Sequence, residues 1–368
     1  MALNSTDITW RAKAVAFIVG GLGLLSLPYV TSQRTTRAWG WVLLWVIGVW
    51  SWHIFRPLLW IPADGRITWD LNIFICGLQL LVGLLVLQRL VQASTDPQAQ
   101  WTRVFYHLMQ LGILHAAYCI GQRFDLHEFG YMYPLRKAYM AGLMGNSLVA
   151  ATFHVMILPM TFLFRGWWAW CGRVIILAAV FLSLSRISML AGFGSLFLFL
   201  VCQRRWKPVA AMVILAIAGS LAYANTYGQL LLNFGQRPLI WQHVLTYWQQ
   251  HPWIGHGPGG VAYTFGLTQL PNLSAPFVTA HNDYLQGLAD MGLIGMSLLA
   301  VAVLNLLWRL WRVRTHPLAA SILSILCATA ITMSVGFPLM VAPSAAVALL
   351  VVAAGEALTT EGGVHGSA

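Results

Sequence analysis

Long apolar segments recur along almost the whole chain and constrain its fold more than any other feature of the sequence. Of the 368 residues, 59% are hydrophobic and 8% are charged, whereas a soluble domain carries about 25% charged residues. A membrane-spanning helix needs about 20 mostly apolar residues. The segments that meet this requirement are 13–30, 38–54, 70–89, 103–121, 138–163, 169–185, 187–203, 208–224, 284–308, 318–336 and 339–356. The sequence therefore predicts an all-α polytopic integral membrane protein with about 11 or 12 transmembrane helices.

The predicted helices divide the chain into three parts. Residues 1–224 hold about eight spans, residues 225–283 form one long polar insert, and residues 284–368 hold about three spans and a short tail. Within the insert, Arg237-Pro238 is typical of a helix start, and apolar residues follow at helical spacing. Two interpretations of this helix stay open: it lies on the outer membrane surface, or its apolar side chains pack into a core.

The distribution of lysine and arginine predicts the orientation. Twelve of the 21 basic residues lie in five alternate short links, and the positive-inside rule makes those links cytoplasmic. They are Arg34, Arg37, Arg89, Arg103, Arg165, Arg173, Arg204, Arg205, Lys207, Arg309, Arg312 and Arg314. The insert and the N-terminus then lie on the outer side, and the C-terminus lies inside. This bias, with contact to anionic membrane lipids, accounts for the net charge of +11, so no nucleic-acid partner is predicted.

The nine remaining basic residues lie on the outer side, where the topology rule does not explain them. They are Arg11, Lys13, Arg56, Arg66, Arg123, Arg136, Lys137, Arg186 and Arg237. Arg186 lies where two apolar runs meet, and an arginine at that depth calls for a partner. One interpretation is that it snorkels to the interface or pairs with Asp283 or Asp290. The other is an anion site, because a guanidinium binds phosphate through two parallel hydrogen bonds.

The cysteines predict neither a disulfide framework nor a metal site. The five cysteines occur singly, mostly in apolar runs, and none has Cys-x-x-Cys spacing. We therefore predict no metal and no cofactor.

The second half of the insert carries the residues best suited to chemistry. A glycine- and proline-rich loop at 251–260 predicts a tight turn whose backbone amides are able to bind phosphate or sugar oxygens. Thr279 is predicted to cap the following helix, which places His281 in its first turn. A helix N-terminus and nearby arginines disfavour the imidazolium form, and a neutral imidazole accepts a proton from a hydroxyl. Asp283 and Asp290 are seven residues apart and share one face of that helix.

These motifs resemble those of the O-antigen ligase and polymerase superfamily, the membrane glycosyltransferases with a GT-C-like fold. The matching residues are Gly145-Asn146, Ser185-Arg186, Arg237, Trp241, the run from His251 to Gly259, the run from His281 to Leu285, Gly292 and Gly295. The resemblance is firm over about 140 to 295. Family ligases commonly have twelve spans and both termini inside, whereas the segments here predict eleven and an outer N-terminus.

The resemblance implies transfer of a glycan from undecaprenyl diphosphate to an acceptor at the periplasmic face of the bacterial inner membrane. It implies that Arg186 and Arg237 hold the diphosphate, that His281 positions or deprotonates the acceptor hydroxyl, and that Asp283 orients this histidine. Further substrate contacts are predicted at Arg136, Lys137, Asn146, Trp241, His251, His256, Asn282 and Asp283. It also implies a metal-free mechanism, and the chain has no Asp-x-Asp motif.

Three acceptors are compatible with the motifs, namely lipid A core, another glycan repeat and a protein such as pilin. The short tail after Gly355 favours ligation to lipid A core. A transporter of a lipid-linked sugar and a non-catalytic scaffold remain alternatives from other classes. A transporter favours polar residues at mid-membrane, whereas the charges here lie mostly at the ends of spans.

Overall fold

The computed structural model describes residues 96–124, 142–144, 146–214, 235–265, 279–340 and 342–360, with isolated positions at 82, 85, 86, 90, 140, 273 and 277. Every regular element in these ranges is helical, which agrees with the predicted all-α class. The predicted spans 13–30, 38–54 and 70–89 lie outside the described residues, apart from three isolated positions in the last.

Nine α-helices are delimited in the part of the chain that the structure describes. They are α1 (Pro97–Arg123), α2 (Ser147–Ile157), α3 (Trp167–Leu182), α4 (Arg186–Cys202), α5 (Arg237–Trp248), α6 (Gly260–Phe265), α7 (Asp283–Arg312), α8 (Pro317–Met333) and α9 (Ala342–Thr360). A 3-10 helix at Leu158–Leu163 extends α2, and residues 206–214 are also helical.

Six predicted spans coincide with these helices, namely 103–121, 169–185, 187–203, 284–308, 318–336 and 339–356, and 208–224 is described only as far as residue 214. The exception is 138–163, where α2 begins only at Ser147, because the Asn146 side chain caps it by accepting from Leu148 N at 2.8 Å. Pro159 follows near its end, where the missing N–H ends the α-helical pattern. By length and composition, α1 and α7 are able to cross a membrane, and five shorter apolar helices accompany them. The polytopic topology stays a prediction.

The chain forms two compact units. The first unit comprises Met1–Thr95, Gly235–Leu306 and Leu339–Thr360, and the second comprises Asp96–Phe234, Leu307–Pro338 and Glu361–Ala368. Residues 235–283 of the insert predicted to carry the chemistry therefore lie in the first unit, and Arg186 lies in the second.

In the second unit, α8 packs along α4, with α2 and α3 beside them. One buried cluster joins the four helices through Val155, Val180, Ala191 and Ala328. Small residues permit the close approach of α4 and α8: a Cβ atom on Gly194 would lie 2.8 Å from the Ile331 side chain. Side chains cap two of the helices in this unit. The Asp96 carboxylate accepts from Ala99 N before α1, and the Ser185 hydroxyl accepts from Ser188 N before α4.

Candidate functional site

The insert forms a small hydrophobic core in the first unit. Ile240 and Val244 of α5 are buried against residues of α6, of the following segment and of α7. The other buried members are Val261, Phe265, Leu273, Phe277, Ala280 and Ala289. The apolar spacing in α5 therefore reflects core packing, the second of the two interpretations.

The loop at 251–259 docks into a break in α7. Gly292 has φ 66° and ψ −177°, which interrupts the helix. The loop supplies partners to the backbone groups on both sides of the break. His256 N donates to Ala289 O at 2.8 Å, and Gly257 N donates to Asp290 O at 2.9 Å. In the other direction, Leu293 N donates to Pro252 O at 2.9 Å and Ile294 N donates to Trp253 O at 3.1 Å.

This docking changes the interpretation of the glycine-rich loop. The amides of His256 and Gly257 already donate to α7 carbonyls, and Gly259 N donates to the Asp290 carboxylate at 3.4 Å. Its glycines serve close backbone approach and left-handed turns. The loop is therefore a structural clamp on α7 rather than a phosphate cradle formed by these amides.

His256 belongs to the same clamp. Its Nε2 donates to Tyr247 O at 2.6 Å, and its ring stacks on the Tyr247 ring with centroids 3.6 Å apart. The His251 ring meets it edge-on at 4.8 Å. The structure thus gives His256 a role in fixing the loop to α5, and the predicted substrate contacts of both histidines stay predictions.

Trp241 contacts the segment that carries His281, and Arg237 lies one helical turn before it on α5. The indole N–H of Trp241 donates to Ala280 O at 3.0 Å, which fixes the backbone beside His281. Arg237 is half-buried, and its positive charge acts on the His281 ring. The Arg-x-x-x-Trp motif therefore places one positioning residue and one cation against the predicted catalytic histidine.

Two causes set the protonation state of His281. Burial and, second, the neighbouring Arg237 guanidinium lower the pKa of this histidine to about 4. The predicted cause was partly right, since an arginine contributes, but desolvation is the larger effect. At neutral pH the ring is therefore uncharged and able to accept a hydrogen bond from a hydroxyl.

The start of α7 differs from the prediction. The helix begins at Asp283, and the Asn282 side chain caps it by accepting from Tyr284 N at 3.0 Å and Leu285 N at 3.1 Å. Thr279 is not its N-cap, because His281 has φ 49° and cannot continue a right-handed helix. His281 thus lies before the helix, in a left-handed conformation that costs about 1–3 kcal/mol and is often found at functional sites.

Two successive hydrogen bonds, which the sequence did not predict, also hold the segment that carries His281. Ala280 N donates to Gln286 Oε1 at 2.9 Å, and Gln286 Nε2 donates to Asp290 Oδ2 at 3.1 Å. Both side chains are buried. The available signal was a glutamine and an aspartate four residues apart in an apolar helix, where buried polar groups need partners. Asp290 therefore links the His281 segment to the loop clamp.

Asp283 has a different partner from the one predicted. Its buried carboxylate accepts a hydrogen bond from Leu339 N at 2.9 Å. This bond ties the start of α7 to the chain just before α9. The hypothesis that Asp283 orients His281 gains no support from this geometry.

The remaining predicted residues are divided between the two units. Arg237, Trp241, His281 and Asn282 lie together in the first unit, whereas Asn146 and Arg186 lie in the second. Asn146 is the N-cap of α2. Arg186 is exposed at the first residue of α4. Arg136 and Lys137 fall outside the described residues.

The second unit also brings together three possible metal ligands that the sequence spacing did not suggest. His115 and Cys119 lie one turn apart on α1, and their ligand atoms and that of His154 on α2 are within 4.8 Å of one another. His115 Nδ1 and His154 Nε2 are hydrogen-bonded at 2.9 Å. This ring-to-ring bond accounts for the pairing of the histidines, and we assign the group no further role.

Comparison with known proteins agrees with the motifs. Residues 171–300 match the family described as O-antigen ligase, a segment that contains Arg186, Arg237 and His281. The match supports membership of the O-antigen ligase superfamily, and with it a glycosyltransferase of ligase or polymerase type in a bacterial membrane. No curated protein matches the chain.

Proposed function

We propose that this protein, with an O-antigen ligase domain in residues 171–300, is an inverting and metal-independent glycosyltransferase of the bacterial inner membrane. It moves a glycan from undecaprenyl diphosphate to an acceptor hydroxyl at the periplasmic face. Its acceptor is lipid A core, and the reaction is O-antigen ligation. The positive-inside distribution of lysine and arginine supports a polytopic arrangement with the insert outside.

One observation carries this proposal: a buried histidine whose pKa a half-buried arginine helps to lower, with both residues on segments that pack in the insert's core. Arg237 offers a fixed cation with parallel N–H donors for a diphosphate oxygen pair. His281 offers an uncharged acceptor for a hydroxyl proton. A diphosphate leaving group and an alcohol nucleophile need both of these functions within one site.

The chemical step balances with these groups. The acceptor oxygen forms a bond to the anomeric carbon, while the bond from that carbon to the diphosphate oxygen breaks on the opposite face. The electron pair leaves with undecaprenyl diphosphate, whose negative charge Arg237 stabilises. For Arg186, the motif resemblance alone supports the same role. The hydroxyl proton passes to His281. The result is inversion at the anomeric carbon.

Because the pKa of His281 is low in the free protein, His281 becomes an effective base only when the donor is bound. In the free protein, burial and Arg237 hold the pKa of this histidine at about 4, which makes it a weak base. A bound diphosphate brings negative charge next to Arg237 and offsets the cation's effect on the ring. The pKa of His281 then rises when the donor is bound, so the base gains strength when it has a substrate to act on.

The same residues would serve an O-antigen polymerase or a protein O-oligosaccharyltransferase, which differ only in the acceptor. We therefore choose the acceptor as the variable of the test. The purified full chain in detergent receives undecaprenyl-diphosphate-linked glycan and a chelator. Lipid A core is added to one sample, pilin-like protein to a second, and no acceptor to a third.

Product on lipid A core in the presence of the chelator is the expected result. Lengthening of the donor glycan without added acceptor would instead establish a polymerase, and product on the pilin-like protein would establish a protein glycosyltransferase. A lipid-linked sugar transporter would move donor across vesicles and give no product in any sample.

A further inference from the structure

The second unit contains a cavity of about 340 Å³. It lies where α3 begins, where α4 ends and where α8 begins. Three arginines line it, namely Arg165, Arg173 and Arg205, together with aromatic side chains that include Phe162, Phe164 and Trp170. Cavities of this size are typical of small-molecule sites.

The cavity is positively charged without a compensating carboxylate. In the described residues of the second unit, Asp96 is the only acidic residue, and its carboxylate caps α1. None of the three arginines forms an ion pair within the described ranges. Like charges therefore face one cavity with no protein anion between them, which favours binding of an external anion.

Arg173 is held in place more firmly than a solvated surface arginine. Its Nη2 donates to Thr161 O at 2.9 Å and to Phe164 O at 2.8 Å, and its guanidinium carbon lies 4.6 Å from the Phe162 ring centroid. Its Nε is buried and has no hydrogen-bond partner in the described part of the chain. A buried charged donor without a partner is costly, and an anion or a water would satisfy it.

The cavity is remote from Arg186. Helix α4 has 17 residues and rises 1.5 Å per residue, so its two ends are about 25 Å apart. Arg186 lies at the first end, and Arg205 follows the last. In the orientation predicted from the lysine and arginine distribution, this second end faces the cytoplasm. The cavity is therefore separate from the diphosphate position assigned to Arg186.

We propose that this cavity binds the phosphate headgroup of an anionic phospholipid from the cytoplasmic leaflet. Basic pockets between helices on this side are suited to such headgroups. The lining favours a lipid over a soluble phosphate, because Trp170 is 64% exposed at the rim and tryptophan prefers the membrane interface. The chemistry recognised is a phosphate ester. This proposal does not depend on the transferase activity.

The test measures lipid binding by native mass spectrometry on the delipidated full chain in detergent. Phosphatidylglycerol and phosphatidylcholine with the same acyl chains are compared, and inorganic phosphate is added as competitor. The variant is Arg165→Gln with Arg205→Gln, because both side chains are exposed and their loss need not affect folding. The matched control is Arg103→Gln with Arg312→Gln, which removes the same charge from exposed positions outside the cavity.

We expect phosphatidylglycerol to bind in preference to phosphatidylcholine. The cavity variant should bind it about tenfold or more weakly, since each basic residue contributes substantially to anionic-lipid attraction. The control should bind as the unmodified chain does. Equal losses in the two variants, or equal binding of the two lipids, would overturn the proposal. Displacement by inorganic phosphate at matched concentration would contradict the lipid source and assign the site to a soluble phosphate ester.

Discussion

Gly255 and Gly292 face each other backbone to backbone. A Cβ atom on Gly292 would lie 2.5 Å from Gly255 N, and a Cβ atom on Gly255 would lie 2.6 Å from Gly292 N. Both residues have positive φ, 73° and 66° respectively. The loop and the broken helix α7 therefore pack together only because both positions are glycine. The hydrogen bonds across this contact hold α7, which begins two residues after His281.

Gly292→Ala should destabilise the protein strongly. The added Cβ would overlap the Trp253 carbonyl oxygen and would force an unfavourable positive φ on alanine. We expect a loss of about 2–4 kcal/mol in the free energy of unfolding, measured by thermal or denaturant unfolding in detergent.

The control for this change is Gly121→Ala in α1, where no atom lies within 4 Å of the added Cβ. Alanine at a helical position should leave stability unchanged or raise it by about 0.4–1 kcal/mol. If both variants were equally stable, the loop clamp would not be the element that holds α7.

Much of the fold was predictable because apolar segment length and helix starts depend on local sequence. The boundaries of α3, α4 and α8 follow from this signal, and so does the start of α5 at Arg237, whereas α1 begins six residues before its predicted start, at Pro97. What periodicity could not show is the break in α7, because Gly292 lies within a continuous apolar run. The positive φ of Gly292 depends on packing of the loop at 251–259 against α7, which is a tertiary contact.

The candidate site was predictable in its residue types but not in its contacts. Arg237 and His281 were predicted from their chemistry, and in the structure the Arg237 charge contributes to the low pKa of His281. The partner of Asp283 is 56 residues away in sequence, at Leu339 N, a distance over which sequence spacing carries no information. The Gln286 link to Ala280 was missed for a related reason: it depends on the left-handed backbone at His281.

Trp241→Phe should lower turnover while leaving donor binding intact. Phenylalanine keeps the ring in place but loses the N–H that donates to Ala280 O at 3.0 Å. One neutral hydrogen bond contributes about 1 kcal/mol, so kcat should fall about fivefold. The KM for the donor should change little, because Trp241 acts through the position of His281.

Trp248→Phe is the matched control, since Trp248 lies on the same helix and donates to Pro252 O at 3.1 Å. We expect it to lower stability without a specific loss of kcat. Equal effects of the two variants on kcat would show that Trp241 contributes only to the core.

The activity should depend on pH through His281. Protonation removes the acceptor lone pair, so the rate must fall as pH decreases through the pKa of this histidine. In the free protein that pKa is about 4, so kcat/KM should stay constant from neutral pH down to about 5. The pH dependence of kcat should show a higher apparent pKa, because the bound diphosphate offsets the charge of Arg237. An apparent pKa near 6.5 in both profiles would contradict this account.

Arg186→Lys should impair transfer although it keeps the charge. Lysine cannot form the two parallel hydrogen bonds that a guanidinium makes to a diphosphate. We expect a loss of about tenfold or more in kcat/KM, measured with saturating acceptor. Arg103→Lys, an exposed change of the same kind in α1, should retain full activity. Full activity in Arg186→Lys would show that Arg186 serves topology or packing instead.

The most direct test of the central claim compares two histidine variants in glycan transfer from undecaprenyl diphosphate. His281→Asn keeps a residue that tolerates the left-handed backbone at φ 49° but removes the base. His243→Asn makes the same change on α5 of the insert and serves as the control. We predict that His281→Asn folds normally and loses about 10²–10⁴-fold in kcat, while His243→Asn stays active. Near-normal transfer by a folded His281→Asn protein would contradict the assignment of His281 as the base.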